Sequence, residues 1–376
     1  MSKERISILK GAKKILVKIG SGVLTGHDGL DLDIIGNLVD EISEYSKKGF
    51  HFVIVSSGAI ASGMNRMGFR ESLKSLPQKQ AAAAVGQGRL MRVYSNAFGR
   101  HGLVTAQILL TMSDLTDRQR FLNTHNTLLT LMEWGVTPII NENDTVSVDE
   151  IKFGDNDNLA AIMTNIMEAD LLINLTNTEG LYDRDPRKTG DPTLIPLVTE
   201  ITAGIKKAAS SEASTVGMGG MKSKVIAAGK VTASGIPCII AHGKKTGILN
   251  DILSGGETGT LFLPMTQHLK SKKCWIAFTL RSRGKICIDK GAENAITNQG
   301  KSLLPSGIIR IKGDFQMGDP VTCINEDGVS IAKGLVNYSS SDINRVKGLK
   351  TSKIKQVLGD KPYDEIIHRD NMVISR

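Results

Sequence analysis

Between residues 14 and 263, short aliphatic and β-branched runs alternate with longer amphipathic stretches. The runs predict strands at 14–19, 52–56, 104–109, 136–141, 171–176, 236–241 and 260–263. The stretches between them predict helices at 33–47, 79–100, 117–133, 158–167 and 221–233. Several runs are continuously apolar rather than alternating, as parallel strands covered on both faces must be. Strand and helix in turn predict an α/β fold: an αβα sandwich around a mainly parallel sheet. Ligands on such sheets gather in the loops at the carboxyl ends of the strands. After Pro264 the pattern changes to short alternating runs at 275–280, 285–289, 308–312, 321–325 and 331–335, broken by Gly, Pro and Asp turns. This predicts a large domain over 1–265, a polar linker over 266–274, and a small β-rich domain over 275–376.

Composition adds limits. Hydrophobic residues make up 40% of the chain and charged residues 23%, an ordinary globular balance. No stretch approaches the roughly 18–20 apolar residues of a membrane helix, and the charged start MSKERISILKGAKK has no apolar signal core. Cys238, Cys274, Cys287 and Cys323 are scattered without a CxxC pair, so a reducing cytoplasm fits better than a disulfide or zinc framework. The net charge of +9 is unevenly placed. Residues 266–376 hold 19 Lys and Arg against 11 Asp and Glu, and the first 265 hold 28 against 27. A basic tail points to a polyanion such as RNA, although a solvated lysine-rich face has the same composition.

Four segments carry candidate chemistry, and each lies at a predicted strand end or helix start. Lys18 closes an apolar strand and is followed by Gly20, Ser21 and Gly22. A lysine there is costly unless its ammonium meets an anion, and the glycines let backbone N–H groups approach a phosphate; a solvated surface lysine fits the same spacing. Ser56, Ser57 and Gly58 form a small-residue turn into a helix, suited to an anion or to a plain tight connection. Asn141-Glu142-Asn143-Asp144 and Gly154-Asp155-Asn156-Asp157-Asn158 are two acid–amide clusters close together. One side chain suffices as an N-cap, so the others remain for a ligand; a calcium loop is a competing reading, although the spacing lacks the twelfth-position glutamate of an EF-hand. Gly217-Met218-Gly219-Gly220-Met221-Lys222-Ser223-Lys224 leads glycines into a helix bearing two lysines. It is not a Walker A loop, yet it gathers the same flexible donors and ammonium groups around a phosphate.

Together the segments VKIGSGVLT, VSSGAIASG, INENDTVSVDEIKFGDNDNLA, LYDRDPR and GMGGMKSK resemble the amino acid kinase family, in family order over roughly residues 14–264. Within that family they are most similar to its glutamate-phosphorylating branch. The segment IDKGAENAITNQGKSLLPSGIIRIKGDFQMGDPV is similar to a PUA domain, often appended in that branch. The resemblance implies ATP as phosphoryl donor, Mg2+ carried with it, and L-glutamate as acceptor. It implies that Lys18 and Lys224 are catalytic and that Asp157 orients them. Ser57, Asp144 and Asn156 match its glutamate-binding positions. Thr176, Asn177 and Met218, Gly219, Gly220, Met221, Lys222, Ser223 and Lys224, together with Lys18, match the nucleotide-binding positions. Asn177 departs from the aspartate common after Thr176. A homo-oligomer is implied by resemblance alone; association with a glutamyl-phosphate reductase is expected because an acyl phosphate is prone to hydrolysis and cyclisation, and RNA is the candidate partner of the basic tail.

The chemistry agrees. A side-chain carboxylate is already ionised at neutral pH, so its phosphorylation needs no general base, only positioning and charge neutralisation. A free amino acid carries an α-ammonium that Asp144 can pair while Asn156 bonds the α-carboxylate; an N-acetylated substrate gains nothing from Asp144. The rival readings are sister kinases of N-acetylglutamate, aspartate, carbamate or uridylate, and an RNA-binding or RNA-modification protein read from the basic tail. The regulatory βαββαβ pattern usual in aspartokinases is missing, and low aromatic content disfavours base stacking.

Overall fold

The computed structural model describes residues 3–26, 29–69, 71, 73–147, 155–187, 190–210, 220–266, 269 and 271–375. It comprises two compact units, Met1–His268 and Leu269–Arg376.

In the first unit the described elements run α1 (Lys3–Lys10), β1 (Lys14–Ile19), α2 (Ser21–Leu24), β2 (Thr25–Gly26), β3 (Gly29–Leu30), α3 (Leu32–Lys47), β4 (His51–Ser56), α4 (Ala59–Arg66) and α5 (Leu76–Gly99). They continue with β5 (Thr105–Leu110), α6 (Met112–Thr116), α7 (Arg118–Glu133), β6 (Thr137–Glu142), α8 (Asp155–Ile166) and β7 (Leu171–Thr176). The remainder are β8 (Leu197–Val198), α9 (Ala203–Ser210), α10 (Met221–Thr232), β9 (Cys238–His242), α11 (Ile248–Leu253) and β10 (Thr260–Phe262). Eight strands form one sheet in the order β5-β6-β4-β1-β7-β9-β10-β8. Every pairing is parallel except β9 with β10. The mainly parallel sandwich expected from the uninterrupted apolar runs is what forms.

Strand alternation sorts the side chains into two cores. Ile15, Val17 and Ile19 of β1 pack with α3, α5 and α11 on one face. Leu16 packs with α7, α8 and α10 on the other. Lys18 follows Leu16 by two residues, so it faces α8 and α10. In register beside it, Lys18 lies opposite Asn174 of β7, and Ile19 opposite Ser56 of β4. The carboxyl ends of β1, β4 and β7 therefore finish level, and the loops after them share one rim.

The helices α4 and α5 pack backbone against backbone. A Cβ on Gly63 would stand 1.8 Å from the Ala82 carbonyl oxygen, and one on Gly86 1.8 Å from that of Ala59. This close approach brings α5 beneath the turn that follows β4. Gly58 in that turn has φ +96°, a left-handed conformation that favours glycine.

In the second unit β11 (Gly284–Ile288), β12 (Ile308–Lys312), β13 (Pro320–Ile324), β14 (Ser330–Leu335) and β15 (Met372–Ile374) form a sheet in the order β12-β11-β13-β14-β15. Short helices α12 (Ser271–Cys274), α13 (Lys290–Thr297), α14 (Ser340–Val346) and α15 (Ile354–Leu358) accompany it. Its core includes Ile286, Ile288, Phe315, Val321, Ile343 and Ile354. One strand expectation fails here: Trp275–Thr279 is helical, wound in the wide π form, with Leu280 N–H donating to the Trp275 carbonyl (3.3 Å). The run WIAFTL is apolar at every position but Thr279, so its alternation is too weak to separate a strand from a packed helix. Ile276 and Leu280 pack with Val373 of β15.

Candidate active site

At the rim two lysines meet one aspartate. Asp157, in the first turn of α8, is 1% exposed; Lys18 is 4% and Lys224 5% exposed. Lys18 Nζ lies 2.5 Å from Asp157 Oδ1 and Lys224 Nζ 3.4 Å from Oδ2. Ser223 Oγ donates to Oδ2 (2.5 Å) and Asn174 Nδ2 to Oδ1 (3.1 Å). The two carboxylate oxygens thus hold the lysines apart, one each, with a neutral donor beside each. Burial pushes the Asp157 carboxyl up, but the charges of Lys18 and Lys224, with hydrogen bonds from Lys18 and Ser223, outweigh it and hold the group well below the carboxylate range. Asn174 was not singled out from the sequence, although its signal was present. It is a polar residue inside the wholly buried strand LLINLT, the same anomaly that marks Lys18.

A second cluster adjoins the first through Asn156. Its Nδ2 donates to Ser57 Oγ (2.8 Å), to Asn141 Oδ1 (3.1 Å) and to the Ser56 carbonyl (3.2 Å). Asn141 Nδ2 in turn donates to Gln87 Oε1 on α5 (2.9 Å). Ser147 Oγ donates to Glu142 Oε1 (2.9 Å), and Gln80 Nε2 to the Ser147 carbonyl (3.1 Å). The segment 141–147 is thereby tied to α5 at both ends. Asp144, at its middle, is half-buried, and burial raises its carboxyl to about 6. Among the described residues no hydrogen bond joins it to Ser57 or Asn156.

The remaining expected positions divide. Thr176 ends β7, and its Oγ1 donates to Asn177 Oδ1 (3.4 Å). A Cβ on Gly22 would lie 3.6 Å from Asn177 Nδ2, so Asn177 abuts the glycine turn after Lys18. Gly220 caps α10 at its N-terminus, Met221 is buried, Lys222 is exposed, and Ser223 and Lys224 reach Asp157. Of the two lysines opening α10, the fold selects Lys224. Met218 and Gly219 lie outside the described residues, as do Gly154 and the side chain of Asp155. Among the described residues no cluster of three His, Cys, Asp or Glu can hold a metal.

Buried lysines at the end of a parallel sheet, held apart by one carboxylate beside a glycine-opened helix, suit the joining of two anions. This fold and site define an α/β phosphoryl-transfer enzyme. Residues 13–242 match the amino acid kinase family and residues 284–358 the PUA domain; the chain belongs to the amino acid kinase family. It is 64% identical to a glutamate 5-kinase of Syntrophus aciditrophicus over 376 residues, covering 100% of this chain and 98% of that one. It is 48% identical to a glutamate 5-kinase of Pelobacter propionicus and 49% to one of Geobacter sulfurreducens, each over 371 residues, 98% of this chain and 100% of the relative. Kinase membership carries ATP as phosphoryl donor. No described helix is long and apolar enough to cross a membrane.

Proposed function

We propose that the chain transfers the γ-phosphoryl group of ATP to the γ-carboxylate of L-glutamate, forming L-glutamyl 5-phosphate and ADP, the first step of proline biosynthesis, in the cytoplasm. The observation that carries this reading is the Lys18–Asp157–Lys224 arrangement beside the acid–amide pocket of Ser57, Asn156 and Asp144. A γ-carboxylate oxygen attacks the γ-phosphorus, the bond to the β,γ-bridging oxygen breaks, and its electrons leave with ADP. No proton moves, so no base is required. Lys18 and Lys224 neutralise charge on the transferring group, and Asp157 fixes their separation. Thr176, Asn177 and residues 218–224 form the nucleotide side, while Ser57, Asp144 and Asn156 hold the amino acid. Magnesium enters on the phosphates of ATP, the usual mode for an ion that keeps several waters.

The test is an assay with ATP and magnesium against glutamate, N-acetylglutamate, aspartate and carbamate, trapping acyl phosphate with hydroxylamine. Hydroxamate from glutamate alone supports the reading. A preference for N-acetylglutamate overturns the pairing of Asp144 with an α-ammonium, and no turnover with any acid overturns the function.

The domain reading is a kinase domain over 1–265, a linker over 266–274 and a PUA-like domain over 275–376. RNA is the polyanion proposed for the last. In its sheet Lys285 stands directly opposite Lys312, with Arg310 also exposed on β12; like charges facing across strands are unfavourable without an anion. Retention of RNA that falls steeply with salt would support this, and none at low salt would refute it. Homo-oligomerisation and contact with a glutamyl-phosphate reductase, which would shield a labile acyl phosphate, complete the proposal and are tested by sedimentation of the chain alone and with that enzyme.

A further inference from the structure

The amides beside Asn156 are oriented by groups that cannot be reversed. The Ser56 carbonyl only accepts, so Asn156 must turn its nitrogen toward it. The Glu142 backbone N–H donates to Asn141 Oδ1 (2.9 Å), and Asn156 Nδ2 donates to the same oxygen. With its oxygen so fixed, Asn141 points its nitrogen at Gln87 and thereby holds the Gln87 oxygen. Each flip is determined by its neighbour, beginning from the backbone.

Two buried atoms emerge from this relay without a hydrogen-bond partner: Asn156 Oδ1 and Gln87 Nε2. One is an acceptor and the other a donor. Gln87 is only 8% exposed, and a buried polar group left unsatisfied in a native structure calls for a partner. The same accounting revises a role expected for Asn156. Its two N–H bonds already serve three protein acceptors, so what it has left is an oxygen, which suits an ammonium rather than a carboxylate. A donor for the substrate's α-carboxylate must come from another residue. The opposite end of the relay from Asp157 supplies one. Gln87 lies on α5, whose Gln80, two turns earlier on the same face, ties down the far end of the Asp144 segment.

We propose that Gln87 is a substrate-binding residue whose free amide N–H donates to the α-carboxylate of the amino acid, while its α-ammonium meets Asn156 Oδ1 and Asp144. The inference rests on the reading of this site as a pocket for a free α-amino acid. It makes the pocket select for both α-substituents, through a residue that contacts neither ATP nor the reacting carboxylate.

Gln87→Glu tests it, because the isostere keeps an oxygen for Asn141 and replaces only the free nitrogen. At pH 8 the variant should raise KM for glutamate about 10- to 100-fold, the range of a lost hydrogen bond to a charged group, with KM for ATP and Tm within error of wild type. Relative to wild type the penalty should shrink as the pH falls, because the new carboxyl regains a proton and can donate again. If Gln87 merely supports Asn141, Gln87→Glu keeps the wild-type KM, and that result overturns the proposal. Should Gln87→Glu fold poorly, Gln87→Met is compared on glutamate and on 4-aminobutyrate, which lacks the α-carboxylate: a KM raised for glutamate alone supports the proposal, and a KM unchanged for glutamate or raised equally for both overturns it. Wild type that fails to phosphorylate glutamate would instead refute the reading of the pocket itself, which separates the two failures.

Discussion

Replacing Asp157 by asparagine preserves shape and removes one charge. Lys18, 4% exposed and 2.5 Å from Asp157, then keeps a buried ammonium without its carboxylate. Breaking one partner of a buried ion pair costs about 3–5 kcal/mol. For a unit of this size each kcal/mol moves Tm by about 2–4 °C, so a fall of roughly 10 °C is expected. The acid limb fixes the sign. The native carboxyl is held well below its unfolded value, near 4, so its stabilisation is complete above about pH 4 and is lost as pH falls through the native value. The gap between wild type and Asp157→Asn should therefore close on acidification. Triphosphate supplies negative charge at the same place, so ATP should raise Tm more in the variant than in wild type. Turnover should fall on the order of 10²–10³-fold, as when a positioned charge donor is lost. Calorimetry with and without ATP at pH 8, and of both proteins at about pH 2, beside steady-state kinetics, measures all of this. An Asp157→Asn enzyme with wild-type Tm and kcat would refute the reasoning.

Further outcomes follow from the same geometry. Lys18→Ala and Lys224→Ala should each lower kcat on the order of 10²–10³-fold, whereas Lys222→Ala, at an exposed position in the same turn, should change kcat less than threefold; equal effects of the three would contradict the selection of Lys224. The kcat/KM for glutamate should fall below a limb near pH 6 as Asp144 takes up a proton, and Asp144→Asn should abolish that limb and raise KM at pH 8. Gly86→Ala should lower stability by at least about 1–3 kcal/mol, since the new Cβ meets the backbone of α4 rather than a movable side chain; a wild-type urea midpoint would show that the two helices separate freely.

The legible parts of the fold were those where one pattern dominates. The strands 14–19 and 171–176 are aliphatic except at Lys14, Lys18, Asn174 and Thr176, are bounded by turn residues, and both form over those residues. The two-residue strand Leu197–Val198 is too short for any period, and its place in the sheet depends on β10 beside it. Trp275–Thr279 shows the converse, because a mostly apolar run whose alternation rests on Thr279 does not choose between helix and strand. In the site, charge in an apolar context was informative: Lys18 stood out by its cost, and Asn174 carries the same mark. Gln87 carries none. It sits in a helix rich in Ala and Gln, and its importance comes only from which Asn141 atom faces it across the tertiary fold. The distinction between Lys222 and Lys224 is likewise a matter of helix phase, settled once α10 is set against α8.

The central claim is that a substrate carboxylate oxygen attacks phosphorus directly. Glutamate labelled with oxygen-18 in its γ-carboxylate, incubated with ATP, magnesium and hydroxylamine, should give hydroxamate and inorganic phosphate carrying one labelled oxygen. Phosphate free of label would mean that water, not the carboxylate, had taken the phosphoryl group, and would contradict the account.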